Sequence, residues 1–132
     1  MSKPRLFFVF VLLVLFAGIF FSPQWSEEQA LNSLSSPSYK VAMEMNVMVS
    51  MRDGVRLATD IYRPNSEGRF PVVLIRTPYG SESKVYSDRG KFYAERGYVA
   101  AIQDCRGKYD SEGDWYGKRD ETKDGDDTLT WL

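Results

Sequence analysis

The side chains that could take part in bond-making chemistry gather in two stretches, RTPYG at residues 76–80 and DCRG at residues 104–107. The first leaves the apolar run VVLI through an X-Pro step. Pro78 locks its own φ and biases Thr77 away from the helical region, so the chain must turn out of a strand here and hold a defined shape. Tyr79 then stands just past the strand's C-terminal end, where open α/β sheets carry their chemistry. Position alone favours a tyrosine that packs the loop onto the core over one that works at the sheet edge. No base accompanies either stretch. The 132 residues contain no histidine, which removes the usual proton acceptor of serine and cysteine hydrolases and the commonest metal ligand. None of Ser81, Ser83 and Ser111 stands in a G-x-S-x-G elbow, although Ser111 is followed two places on by Gly113. Cys105 is the only cysteine, so an internal disulfide is excluded, and without a histidine it reads as a small buried residue and not a nucleophile.

The elements that must position these residues can be read from periodicity. Val41, Met43, Met45, Val47 and Val49 alternate as in a half-buried strand, the RDG of residues 52–54 supplies a turn, and Val55, Leu57, Thr59 and Ile61 resume the alternation. That pattern predicts a hairpin. PVVLI, residues 71–75, is a continuous apolar run suited to a strand covered on both faces. Asp88 is the expected cap of a helix carrying Phe92, Tyr93 and Ala94, with Gly97 to end it, and YVAAIQ, residues 98–103, is a second covered strand. Strand, helix and strand with short joints form one βαβ unit, whose right-handed crossover makes the strands parallel. Residues 104–118, with glycines and with Tyr109, Trp115 and Tyr116, form a shaped loop at the same sheet end as Tyr79. From Asp120 the acids lead into TLTWL, a helix whose Asp120, Glu121 and Asp124 suit the positive N-terminal dipole. The acids lack the alternating oxygen ligands of a calcium loop and read as a solvated helix start.

The N-terminus differs in kind. Lys3 and Arg5 precede sixteen uncharged, almost wholly apolar residues, 6–21. Residues 1–22 are therefore expected to be a signal peptide or membrane anchor, with the chain beyond it exported. Serine-rich residues 23–39, with Pro23 and Pro37, read as a tether, and 40–132 as the folded part. Net charge is −1, and no basic run follows residue 5, so nucleic-acid binding has no electrostatic footprint.

Four blocks, MRDGVRLATDIYRP, PVVLIRTPYG, FYAERGYVAAIQDCRGKYDSEGDWY and RDETKDGDDTLTWL, occur in order from about Val47 to Leu132. Together they resemble the N-terminal part of the cocaine esterase and X-prolyl dipeptidyl-peptidase family of serine hydrolases. The resemblance implies an α/β class chain, the N-terminal portion of an α/β-hydrolase fold, in which an antiparallel hairpin leads into parallel strands with crossover helices. It implies that Tyr79 points its hydroxyl at the oxyanion of a tetrahedral intermediate, which reverses the reading from position alone. Asp104, Arg106 and Gly107 match a D-x-R-G block and read as structural, Gly107 for a tight turn and Arg106 for an ion pair shaping the pocket floor, with Asp104 a candidate partner. Trp115 and Tyr116 either line the acyl pocket or pack the loop. The serine, aspartate and histidine of the triad are expected beyond Leu132, so the chain reads as the front of a longer hydrolase, inactive alone, that uses no cofactor or metal. Its expected substrates are small esters, amides or X-Pro peptides, cleaved through an acyl-enzyme. The alternative is a non-catalytic, membrane-anchored remnant or binding module that kept half a hydrolase fold. In the implied strand order PVVLI would also leave an apolar edge open, and Leu129, Trp131 and Leu132 would be short of full burial.

Overall fold

An Asp-Gly turn organises the first part of the fold. The computed structural model describes residues 36–117 and 119–132, so the apolar segment 6–21 and most of the 23–39 tether lie outside the described residues. Strands β1 (Val41–Ser50) and β2 (Arg56–Pro64) pair antiparallel. Between them Gly54 takes φ +85°, a region open to glycine at little cost, and its N–H donates to the Met51 carbonyl at 2.9 Å. Val49, Met51 and Leu57 bury beside this turn.

The even alternation expected along β1 fails at a bulge. The register slips between Glu44 and Val47, where Asn46 adopts φ +57° and donates its N–H to Asp60 Oδ1 at 2.9 Å. An inserted residue changes which side chains face inward. Met43 and Met45, expected inside, are therefore about half exposed. Strand β2 instead buries every residue from Leu57 to Tyr62, because it runs between two strands with elements over both faces.

Strands β3 (Val72–Thr77) and β4 (Val99–Asp104) are parallel, joined by helix α1 (Lys84–Ala94), as the βαβ reading requires. The sheet order is β1-β2-β4-β3. β4 is thus the covered strand, whereas β3 lies at the edge that the implied strand order leaves open and is only half-buried, not covered on both faces as its apolar run alone suggests. Leu129, Trp131 and Leu132 are exposed, as expected. Asp88 does not cap α1. The helix starts a turn earlier, after Ser83 in extended conformation, and Asp88 instead pairs with Lys84 across one turn of the exposed face. Gly97, at φ +85°, follows the helix end and donates its N–H to the Ala94 carbonyl.

Tyr62, Ala94, Ala100 and Ile102 form the core under α1, with Ile75, Tyr86 and Tyr93 against them. The helix approaches so closely at Gly90 that a Cβ there would stand 2.3 Å from the Tyr62 ring. Gly90→Ala therefore cannot be absorbed without moving the helix or the ring. Its gain in helix propensity is outweighed by overpacking of about 1–3 kcal/mol, and thermal melting is expected to show a lower Tm than wild type; an unchanged or raised Tm would contradict this packing.

On the opposite face lies helix α2 (Glu121–Trp131), preceded by Asp120. Gln103 follows Ile102 and so points to the other side of the sheet. There its Oε1 accepts from Thr128 Oγ1 at 3.0 Å, while its Nε2 donates to Thr59 Oγ1 at 3.0 Å.

Candidate active site

The C-terminal ends of β3 and β4 hold the RTPYG turn. Thr77 is fully buried and its Oγ1 accepts the Tyr79 N–H at 3.1 Å. Two residues on, the Ser81 N–H donates to Asp104 Oδ1 at 2.7 Å, and the Cys105 N–H continues the ladder to the Thr77 carbonyl at 2.9 Å. The turn is thus held at both ends by the last residues of two parallel strands. Gly80, at φ +90°, lets the Tyr109 ring lie against its α-carbon; a Cβ would stand 3.0 Å from that ring. The Tyr79 side chain projects from this rigid frame and is 73% exposed. It does not pack the loop onto the core of the described residues, which is the outcome that position alone disfavoured.

Asp104, 2% exposed, acts here as an anchor. Burial pushes its carboxyl above the usual range, opposed by the Ser81 backbone hydrogen bond. Ser111, the half elbow motif, is buried and structural. Its Oγ donates to the Asp104 carbonyl at 2.7 Å and accepts the Ala58 N–H at 2.9 Å, which ties the 104–117 loop to β2. Burial pushes the Cys105 thiol up to about 12, so little thiolate exists at neutral pH and the residue is inert as a nucleophile.

Arg106 does not pair with Asp104, its candidate partner. It reaches across to α2 and to the hairpin turn: Nη2 donates to Asp124 Oδ1 at 2.6 Å and Nε to Asp124 Oδ2 at 3.1 Å, while Nη1 donates to Asp53 Oδ2 at 2.7 Å. Asp104 faces the α1 side through Ser81, and Arg106 two residues later has already left the strand, so the two side chains serve different faces. Gly107, at φ +66°, makes the turn that permits this; a Cβ there would stand 2.4 Å from the Trp115 backbone nitrogen.

The acids of α2 are not merely a solvated helix start. Asp124 is 1% exposed and is flanked by Arg106 and by Arg76, whose Nη2 lies 3.5 Å away. Arg76 also donates to Glu121 at 3.1 Å and to Gln103 at 2.7 Å. Arg52 pairs with Asp126 and Asp127. Sequence reasoning missed Arg76, Asp53 and Asp124 as members of one network, although three arginines and the acids at 120–127 supplied the opposite charges. Between the hairpin turn and α2, Arg52, Asp53, Arg106, Asp124 and Asp127, with Asp120 and Lys123, line a cleft of about 210 Å³. Its guanidinium groups are already neutralised by carboxylates, and Tyr79 does not line it.

Trp115 is half-buried with Lys108 Nζ 5.1 Å from its ring centre, and Tyr116 is exposed beneath Arg119 at 4.2 Å. Both belong to the loop beside the RTPYG turn. Among the described residues no group of three or more His, Cys, Asp or Glu is placed to hold a metal ion.

The arginine pairs fix a pH dependence. Hydrogen bonds from Arg106, Arg56 and Arg52 respectively hold the Asp53, Glu112 and Asp127 carboxyls below the usual range. A depressed folded pKa contributes stability that is complete above the unfolded value and lost as pH falls through the folded one. Asp104, raised by burial, has the opposite sign, losing its contribution as pH rises from the unfolded value through the folded one. With three lowered groups against one raised, the urea midpoint is expected to fall between pH 5 and pH 3, and Asp127→Asn is expected to flatten that fall; a midpoint that rises on acidification would refute the assignment.

Residues 53–132 match the X-Pro dipeptidyl-peptidase (S15 family). An alignment 99 residues long, covering 72% of the chain, is 43% identical to cocaine esterase from Rhodococcus sp. (strain MB1 Bresler), of which it covers 17%. Among solved structures, an α-amino acid ester hydrolase superposes with a TM-score of 0.60 at 30% identity, over 84% of this chain and 22% of that one. A CocE/NonD family hydrolase from Staphylococcus aureus gives 0.60 at 29%, over 69% and 20%. The chain thus spans about a fifth of the length of the relatives it matches, and its mixed sheet with two helices is part of an α/β-hydrolase fold.

Proposed function

Because the chain belongs to the X-Pro dipeptidyl-peptidase (S15) family of hydrolases, we propose that it forms the N-terminal part of a serine hydrolase that cleaves ester or amide bonds, X-Pro peptide bonds among them, through an acyl-enzyme. The observation that carries the reading is the placement of Tyr79. Its phenol stands at the C-terminal end of β3 on a turn fixed by Thr77 and Asp104, and among the described residues nothing is bonded to its hydroxyl. The turn fixes the point from which the phenol reaches out, and a donor without other partners can meet the oxyanion as its charge develops.

In the full-length enzyme a serine attacks the acyl carbon, a histidine takes the serine proton and returns it to the leaving group, and an aspartate orients the histidine. The Tyr79 hydroxyl donates to the oxygen that becomes negative. Asp104 keeps the turn in place and Gly107 with Arg106 aims the neighbouring loop, so that Trp115 and Tyr116 border the acyl group. The enzyme is exported and tethered through residues 6–21, a reading supported by their unbroken apolarity and by Lys3 and Arg5 before them.

The test is acylation. The full-length gene product is expected to react with a fluorophosphonate probe and to release p-nitrophenol from a p-nitrophenyl ester in a burst followed by steady turnover. The 132-residue chain, without histidine, is expected to do neither. A full-length product that folds stably but takes no label would favour the binding-module reading, and turnover by the pure 132-residue chain would exclude the proposed division of labour.

A further inference from the structure

The end of the sheet opposite Tyr79 has a composition of its own. There the Tyr39 and Phe70 rings meet edge to face with centroids 5.6 Å apart, and Tyr98 packs on Tyr93 at 6.1 Å. Phe92 lies beneath the Arg96 guanidinium at 3.7 Å. Tyr39, Phe92 and Tyr98 are between 39% and 50% exposed, and Lys40, Arg69 and Lys91, next in the chain to Tyr39, Phe70 and Phe92 respectively, are exposed as well. Two acids fall in the same region, Glu67 and Glu95, and Glu95 is paired with Arg96 at 3.8 Å. Two exposed tyrosines with polar tips, an exposed phenylalanine and neighbouring cations match the composition that suits a membrane–water interface with anionic lipid.

The course of the chain points the same way. The Ser38 and Tyr39 N–H groups both donate to the Glu95 carbonyl, at 2.7 and 3.1 Å, so the described residues begin on this end and are pinned there. Residues 22–35 separate this point from the apolar segment 6–21. Fourteen residues span at most about 50 Å even when fully extended. The chain therefore leaves the described residues toward 6–21 from this end and not from the Tyr79 end.

We propose that this face, centred on Tyr39, Phe92 and Tyr98 with Lys40, Arg69 and Lys91, rests on the surface of an anionic bilayer and points the Tyr79 edge away from it. The six residues of β3 hold the two ends roughly 20 Å apart, so substrate reaches the Tyr79 edge from the aqueous side and not through the lipid. This inference rests on the membrane-tethered part of the reading above, and goes beyond it by assigning a contact face and an orientation.

The test uses the full chain reconstituted with vesicles of phosphatidylcholine and phosphatidylglycerol at about 7:3. Cys105 is buried, so a nitrobenzoxadiazole thiol label can be placed selectively at Phe92→Cys or, as the opposite-end control, at Glu82→Cys. Flotation with the vesicles reports tethering, and iodide quenching reports contact. Expected is at least a threefold drop in quenching at position 92 on vesicle binding, none at position 82, and loss of the protection when Lys40, Arg69 and Lys91 are all changed to glutamate while flotation persists. Protein that floats with position 92 as open to iodide as position 82 overturns the contact face and leaves the tether standing. Protein that neither floats nor gains protection overturns both.

Discussion

Tyr79→Phe in the full-length enzyme is expected to lower kcat by about 10²–10³-fold with KM little changed, the loss typical of deleting one oxyanion donor. The structure makes this substitution unusually clean. Because Tyr79 is 73% exposed, its side chain contributes little packing. The turn is held by Thr77 Oγ1 and by Asp104, neither of which the substitution touches. Phenylalanine keeps the ring and removes only the hydroxyl, so the thermal melt should coincide with wild type. Steady-state kinetics on a p-nitrophenyl ester, with the melt as control, decide the matter. A kcat within threefold of wild type would remove Tyr79 from the oxyanion.

Arg106→Met is expected to cost the fold about 3 kcal/mol, the low end of the range for breaking a buried ion pair. Arg106 and Asp124 side chains are 12% and 1% exposed. Removing the guanidinium strands a buried carboxylate that had accepted two hydrogen bonds from it. Arg76, 3.5 Å from Asp124, still offsets part of that charge, which is why the low end applies. The Asp53 contact adds little by comparison, since that carboxylate is half exposed. Urea unfolding measures the loss. The double variant Arg106→Met with Asp124→Leu is expected to be more stable than Arg106→Met alone, because no buried charge remains unpaired. A double variant as unstable as the sum of its parts would show that the pair is not the clamp between loop and helix.

The hairpin, the βαβ unit and the strand-end position of Tyr79 were legible because each is a local matter. An Asp-Gly pair selects its turn within four residues, an apolar run of five demands cover wherever it lies, and Pro78 constrains only its neighbours. The start of α1 was misplaced for an equally local reason: both Ser83 and Asp88 are acceptable cap residues, and nothing in the local pattern separates them. Met43 and Met45 were misread because a bulge leaves no mark in a two-residue period. Asn46 departs from the strand to meet Asp60, fourteen residues away.

What the residues by themselves determined, then, was the order of the elements, the family likeness and the absence of any histidine base in this chain. Which guanidinium meets which carboxylate was decided only by tertiary structure. Arg106 finds Asp124 eighteen residues away and Asp53 fifty-three away, and Arg52 finds Asp127 at a separation of seventy-five. Charge on a sequence has no direction, and any of the acids could have served any of the arginines. It is the sheet that turns Gln103 and Arg76 toward α2 and Asp104 toward Ser81, and burial that makes one pairing strong enough to matter.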